Sequence, residues 1–103
     1  MIVPTPGRVV AYTLTEHDAE QINRRRRHAR ASDAASGQTG VIIHSGNTAA
    51  AGEVYPMVIV RCWGTTKESA VNAQVLLDGN DTFWATSRVQ GEGPGQWHEF
   101  PRV

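Results

Sequence analysis

Five side chains in the second half of the chain have the chemistry to hold a phosphorylated ring compound. Arg61 and Trp63 lie on one alternating stretch, Asn72 and Gln74 on the next, and Trp84 on the one after that. A guanidinium meets phosphate through charge-assisted bonds, an indole offers a stacking face, and primary amides read the polar edges of a base. The set works only if the strands carrying Arg61 and Asn72 are neighbours. The competing reading puts Trp63 in the core and leaves the amides as a solvated strand face. A second phosphate candidate is the run 24–27, with Arg24 and Arg25 foremost, whose plainer role is a solvated helix end that favours cations. Trp84 and Trp97 are further stacking residues, or the seal of an interface between copies.

Catalytic chemistry finds less support. Cys62 falls in an apolar run, where a thiol is usually inert packing, and no spacing places His44 or His98 beside it. His17, His28, His44 and His98 share no metal-ligand spacing, and Asp78, Asn80 and Asp81 are accounted for by a turn rather than a calcium loop. Glu92 and Glu99 have no evident partner for general acid work. No metal, no cofactor and no enzymatic activity are expected.

The elements that must position these groups centre on residues 70–87. Val71, Ala73, Val75 and Leu77 alternate with Asn72, Gln74 and Leu76, Asp78-Gly79-Asn80-Asp81 supplies a turn, and residues 82–86 return with high strand propensity. Before this hairpin, residues 54–63 read as a core strand with Met57, Ile59, Arg61 and Trp63 on one face and Val58, Val60 and Cys62 on the other. Residues 8–14 form a first strand, with Val10, Tyr12 and Leu14 on one face. Thr15 with Asp18 resembles an N-cap, which starts a helix over about residues 16–31 whose only apolar line is Ala19, Ile22 and Ala29. Residues 96–100 close the set. The expected fold is mainly β (α+β): a small curled antiparallel sheet or SH3-like barrel of about five strands, with one helix inserted after the first.

A chain of 103 residues makes a single domain with a thin core, because residues 24–51 contribute only Val41, Ile42 and Ile43 as large aliphatics. Residues 32–52, rich in Ala, Gly and Ser, read as a flexible insertion, with His44 and Asn47 on a possible lid. Self-association is the natural way to bury more surface, so a homo-oligomer is expected. Ten basic and ten acidic residues balance, which disfavours nucleic acid as a partner. One cysteine fits a reducing compartment, and neither a signal peptide nor a membrane-spanning run stands out.

The opening VPTPGRVVAYTL, the helix start TEHDAEQINRRR, the stretch YPMVIVRCWGTTKESAVNAQVLLDGNDTFWATS, and GEGPGQWH with PRV resemble a family of small phage and prophage proteins. The resemblance spans nearly the whole chain except its middle, and departs at Glu99-Phe100, where the family carries an aromatic residue and a proline. It implies a viral origin and a working life in the host bacterial cytoplasm, and brings no catalytic motif. Three functions follow as expectations. The first is a phage binding protein that sequesters a nucleotide-type ligand, such as an immune signal of the infected cell. The second is a small virion or morphogenesis protein, and the third a nucleic-acid-binding regulator working through the 24–30 arginines.

Overall fold

A computed structural model describes residues 1–35 and 47–101. Its elements are β1 (Val9–Thr13), α1 (Glu16–Ala35), β2 (Val54–Cys62), β3 (Val71–Leu76), β4 (Thr82–Arg88) and β5 (Trp97–His98). The strands form one antiparallel sheet in the order β4-β3-β2-β1-β5, so β2, β3 and β4 are the expected meander and the helix follows the first strand. The sheet does not close. β4 is one edge, and at the other β5 is flanked only by an isolated parallel bridge from Gln90 to Trp97, so the open curled sheet is found rather than the SH3-like barrel.

Alternation divides the strands into a core face and an open face. Val10, Tyr12, Met57, Ile59, Val71, Ala73, Val75, Phe83, Ala85 and Trp97 are buried in one cluster with Ala19 and Ile22 of α1. Each large aliphatic buried there contributes about 1.5–3 kcal/mol of transfer free energy. Trp97, expected as a stacking or interface residue, is instead wholly inside this core, with its indole Nε1 donating to the Arg88 carbonyl at 3.2 Å. Gly95 lets the chain turn into β5: its φ is +79°, and a Cβ there would press on Thr15 at 3.0 Å.

The face assignment of β2 changes halfway along. Ile59 pairs with Ala73 and Arg61 with Asn72, so β2 spends one extra residue at this step and forms a bulge. Arg61 and Trp63 therefore leave the side of Met57 and Ile59 and stand on the open face, while Cys62 turns toward the core. A second irregularity sits opposite, where Ala85 and Arg88 of β4 pair with Ala73 and Val71, and Ser87 takes a positive φ of 55°.

The helix begins at a reciprocal cap: Asp18 N–H donates to Thr15 Oγ1 at 2.9 Å, and Thr15 N–H to Asp18 Oδ2 at 3.1 Å. Asp18 is itself buried and also accepts from the Tyr12 hydroxyl at 2.6 Å and from Arg88 Nη2 at 3.2 Å. The helix runs to Ala35, past the expected end near residue 31, and Ala29 is exposed rather than part of the packed line. Residues 36–46, which include His44 of the suggested lid, lie outside the described residues. The end of that insertion is tied to the helix: Asn23 Nδ2 donates to Ala49 O and Ala49 N–H to Asn23 Oδ1, both at 2.9 Å. No helix among the described residues is long and apolar enough to cross a membrane.

Candidate functional site

The site is built on the open face by the β2 bulge. Without that extra residue Arg61 and Trp63 would follow Ile59 into the core. With it, Arg61 stands opposite Asn72, and Trp63, whose N–H donates to Ala70 O at 2.9 Å, lies beyond it on the same face. The Arg61 guanidinium covers the Trp63 ring at 4.1 Å from its centroid, a cation–π pair that fixes both groups. Trp63 leans back along β3, with Nε1 donating to Asn72 Oδ1 at 3.1 Å. The same oxygen accepts Ser87 N–H at 2.9 Å, so Asn72 stabilises the β4 irregularity while its amide NH2 points to no protein partner among the described residues.

Gln74 follows two residues on, roughly 7 Å along the strand, and Trp84 stands opposite it across the β3–β4 ladder. Trp63 and Trp84 are 55 % and 45 % exposed, which removes them from the core and leaves their rings accessible. Val9, Val60 and Leu76, also exposed, supply apolar surface. Arg61, Trp63, Asn72, Gln74 and Trp84 are thus brought together on one surface with an aromatic group at each end and amides between.

Arg24 and Arg25 are not part of that surface. They lie on α1, against the opposite side of the sheet. Arg24 pairs with Glu20 at 3.3 Å, and Arg25 Nη2 donates to Thr82 O at 2.6 Å and approaches Asp81 at 3.4 Å. Arg26, the next in the run, is buried and grips Asp81 with two bonds of 3.0 and 2.9 Å, and its guanidinium also donates to the Asn47 carbonyl. Asn47 Nδ2 in turn donates to Asp78 Oδ2 at 2.6 Å. The hydrogen bonds from Arg26 hold the Asp81 carboxyl below its ordinary range, against the opposing effect of burial. These are the bonds of a structural clamp on the hairpin tip.

Burial pushes the Cys62 thiol up, which keeps it protonated and unreactive near neutral pH. Among the described residues no three His, Cys, Asp or Glu side chains are grouped to hold a metal ion. A cavity of about 380 Å³ beside β5, lined by Met1, Gln90, Gly91, Glu92, His98 and Glu99, had no signal in the sequence. His98 Nδ1 is buried without a partner, and Glu99 is neutralised by Arg8 at 2.6 Å. With Glu92 in its wall and the Arg8 charge already spent on Glu99, this cavity suits an anion poorly, and phosphate is better served by Arg61. No family model, curated protein or solved structure matches this chain.

Proposed function

We propose that the open face of the sheet binds a small phosphorylated nucleotide-type ligand and holds it without turnover. The observation that supports this most directly is the bulge-driven gathering of Arg61, Trp63, Asn72, Gln74 and Trp84 on one exposed surface. Arg61 meets the phosphate, Trp84 offers an open indole face, and the Asn72 and Gln74 amides face the polar edge of a base. Trp63, covered by Arg61 on one side, acts as the platform that orients the guanidinium. In this reading the protein is a phage-encoded sponge working in the host cytoplasm, and a signalling nucleotide of the infected bacterium is the fitting ligand class. The nucleic-acid reading is less favoured, because Arg25 and Arg26 of the arginine run are committed to the hairpin.

The test is to incubate the protein with a panel of cyclic nucleotides and ADP-ribose derivatives, remove free ligand, denature the protein and identify what is released by chromatography. Intact ligand is expected. Altered ligand would make the protein an enzyme, and depletion of no panel member overturns the proposal. For a retained ligand, Arg61→Ala is expected to weaken binding by about one to two orders of magnitude, corresponding to roughly 1.5–3 kcal/mol for a charge-assisted contact. An unchanged dissociation constant would remove Arg61 from the site.

A further inference from the structure

Among the described residues no strand lies beyond β4, and its outward main-chain groups form a ladder of which Arg25 takes only the Thr82 carbonyl. The direction of that ladder follows from bonds elsewhere in the sheet. Leu14 exchanges bonds with Gly52 and Glu53 ahead of β2, both at 2.9 Å, whereas Thr13 bonds toward β5, donating to Gln96 O at 3.2 Å and accepting from Gly95 N–H at 2.8 Å. Antiparallel ladders alternate, so Tyr12 and Val10 bond to Tyr55 and Met57, which leaves Val58 to bond Gln74. Gln74 being turned toward β2, Ala73 and Val75 bond Ala85 and Phe83. The N–H and C=O groups of Thr82, Trp84 and Thr86 therefore point away from the sheet. The position of Arg25 agrees, since its guanidinium reaches the Thr82 carbonyl from outside the ladder.

The two edges of the sheet are treated differently. β5 has two residues and is covered at Trp97 by main-chain bonds to Val89 and Gly91. β4 has seven, lacks lysine, proline or an inward charge over residues 82–87, and carries only the irregularity after Ala85 against edge pairing. Its sequence, Thr82-Phe83-Trp84-Ala85-Thr86, reads Thr-x-Trp-x-Thr in both directions.

We propose that β4 pairs antiparallel with β4 of a second copy about a two-fold axis at Trp84. Trp84 then lies opposite the partner's Trp84, and Thr82 opposite the partner's Thr86, each pair exchanging two main-chain bonds. Thr–Thr and aromatic pairs are favourable across strands, and the balanced charge of the chain offers no repulsion. The Thr82 carbonyl has two lone pairs, one for Arg25 and one for the incoming N–H. The open faces of the two copies become one surface, and the two Trp84 residues stand about 5.5 Å apart at the Cα atoms. Each ligand site thereby gains the partner's Trp84. This last step rests on the nucleotide-type reading; the pairing itself does not.

Sedimentation of the unliganded protein at micromolar concentration is expected to show a dimer. Thr82→Lys combined with Thr86→Lys sets like charges opposite each other twice, as does Thr82→Glu combined with Thr86→Glu. Each double variant is expected to raise the dimer dissociation constant about tenfold or more. An equal mixture of the two is expected to restore the dimer, because every introduced ammonium then faces an introduced carboxylate. With circular dichroism showing folded variants, a monomeric wild type, unaffected double variants or a mixture that stays monomeric overturns the pairing. Tighter retention of a panel nucleotide by the mixed dimer than by either variant alone supports the shared site, and equal retention by all three overturns it. A wild-type dimer that retains no panel member refutes the ligand reading and leaves the pairing standing.

Discussion

The two faces of the sheet spend their polar side chains in opposite ways. On the core side, Asp18, Arg26, Arg88 and Asp81 are matched with one another and with Tyr12, and the bonds span 6 to 70 residues of sequence. On the open side, Arg61 rests on Trp63, and the amide NH2 of Asn72 faces no partner among the described residues. The core-side polar groups are buried or partly buried and are paired because an unmatched charge there costs several kcal/mol, with Arg88 Nε the one atom among them left without a partner. Those of the open face bear no such constraint, and their remaining donors are free to be spent on a ligand. A residue's chemistry alone does not reveal this division: Arg26 and Arg61 are the same side chain in opposite service.

The sharpest way to break that contrast is Asp18→Ala. It removes the acceptor for Tyr12, the partner of Arg88 and half of the helix cap in one step. Destabilisation of about 3–5 kcal/mol is expected, read from urea unfolding. A loss under 1 kcal/mol would mean that the Asp18 bonds are not integral to the core. Burial, and then the bond to Asp18, hold the Tyr12 hydroxyl above its ordinary range, so it stays a donor throughout the pH range of such a measurement.

The Arg26–Asp81 clamp comes next, since Asp81 keeps some access to solvent. Arg26→Ala is expected to cost about 3 kcal/mol, at the low end for a broken buried pair. Asp81 also predicts a direction with pH. Its folded value lies below the unfolded one of about 3.9, so the native state binds its proton less readily than the unfolded chain does. The clamp's stabilisation is complete above about pH 5 and is lost as pH falls through the unfolded and then the folded value. Unfolding measured between pH 6 and pH 3 should show this loss in the wild type and a shallower one in Arg26→Ala. Identical slopes would disconnect the clamp from acid sensitivity.

The strands were legible because alternation and turn residues agree over residues 70–87, and the cap was legible because Thr15 and Asp18 are close in sequence. The β2 bulge was not. Val58 to Trp63 continues to alternate as written, and nothing local says that one residue is spent on a change of face; only the pairing with β3 does. Arg26 is a partial miss. It falls four residues after Ile22 and seven after Ala19, the spacing of a helix face, yet among four consecutive arginines the run reads as uniform solvated charge. The bonds of Arg88 to Asp18 and of Arg8 to Glu99 join residues 70 and 91 positions apart, for which a single sequence holds no signal.

The smallest expected effect sharpens the contrast at its one exception, the place where an open-face polar group also serves the fold. Asn72 Oδ1 accepts from both Ser87 N–H and Trp63 Nε1, and so couples the β4 irregularity to the site. Ser87 has the one positive φ among the described non-glycine residues, 55°, a conformation that costs a residue with a Cβ roughly 1 kcal/mol. Ser87→Gly removes that strain and adds freedom to the unfolded chain, two opposing terms of which the strain is the larger. The result should be a gain of about 0.5 kcal/mol with ligand retention unchanged, because the main-chain N–H that holds Asn72 is preserved. Thermal unfolding with and without a retained nucleotide reads both quantities. If the glycine variant is less stable and also loses ligand, the left-handed turn depends on the serine side chain, and the open face is more tightly joined to the fold than the division between the two faces allows.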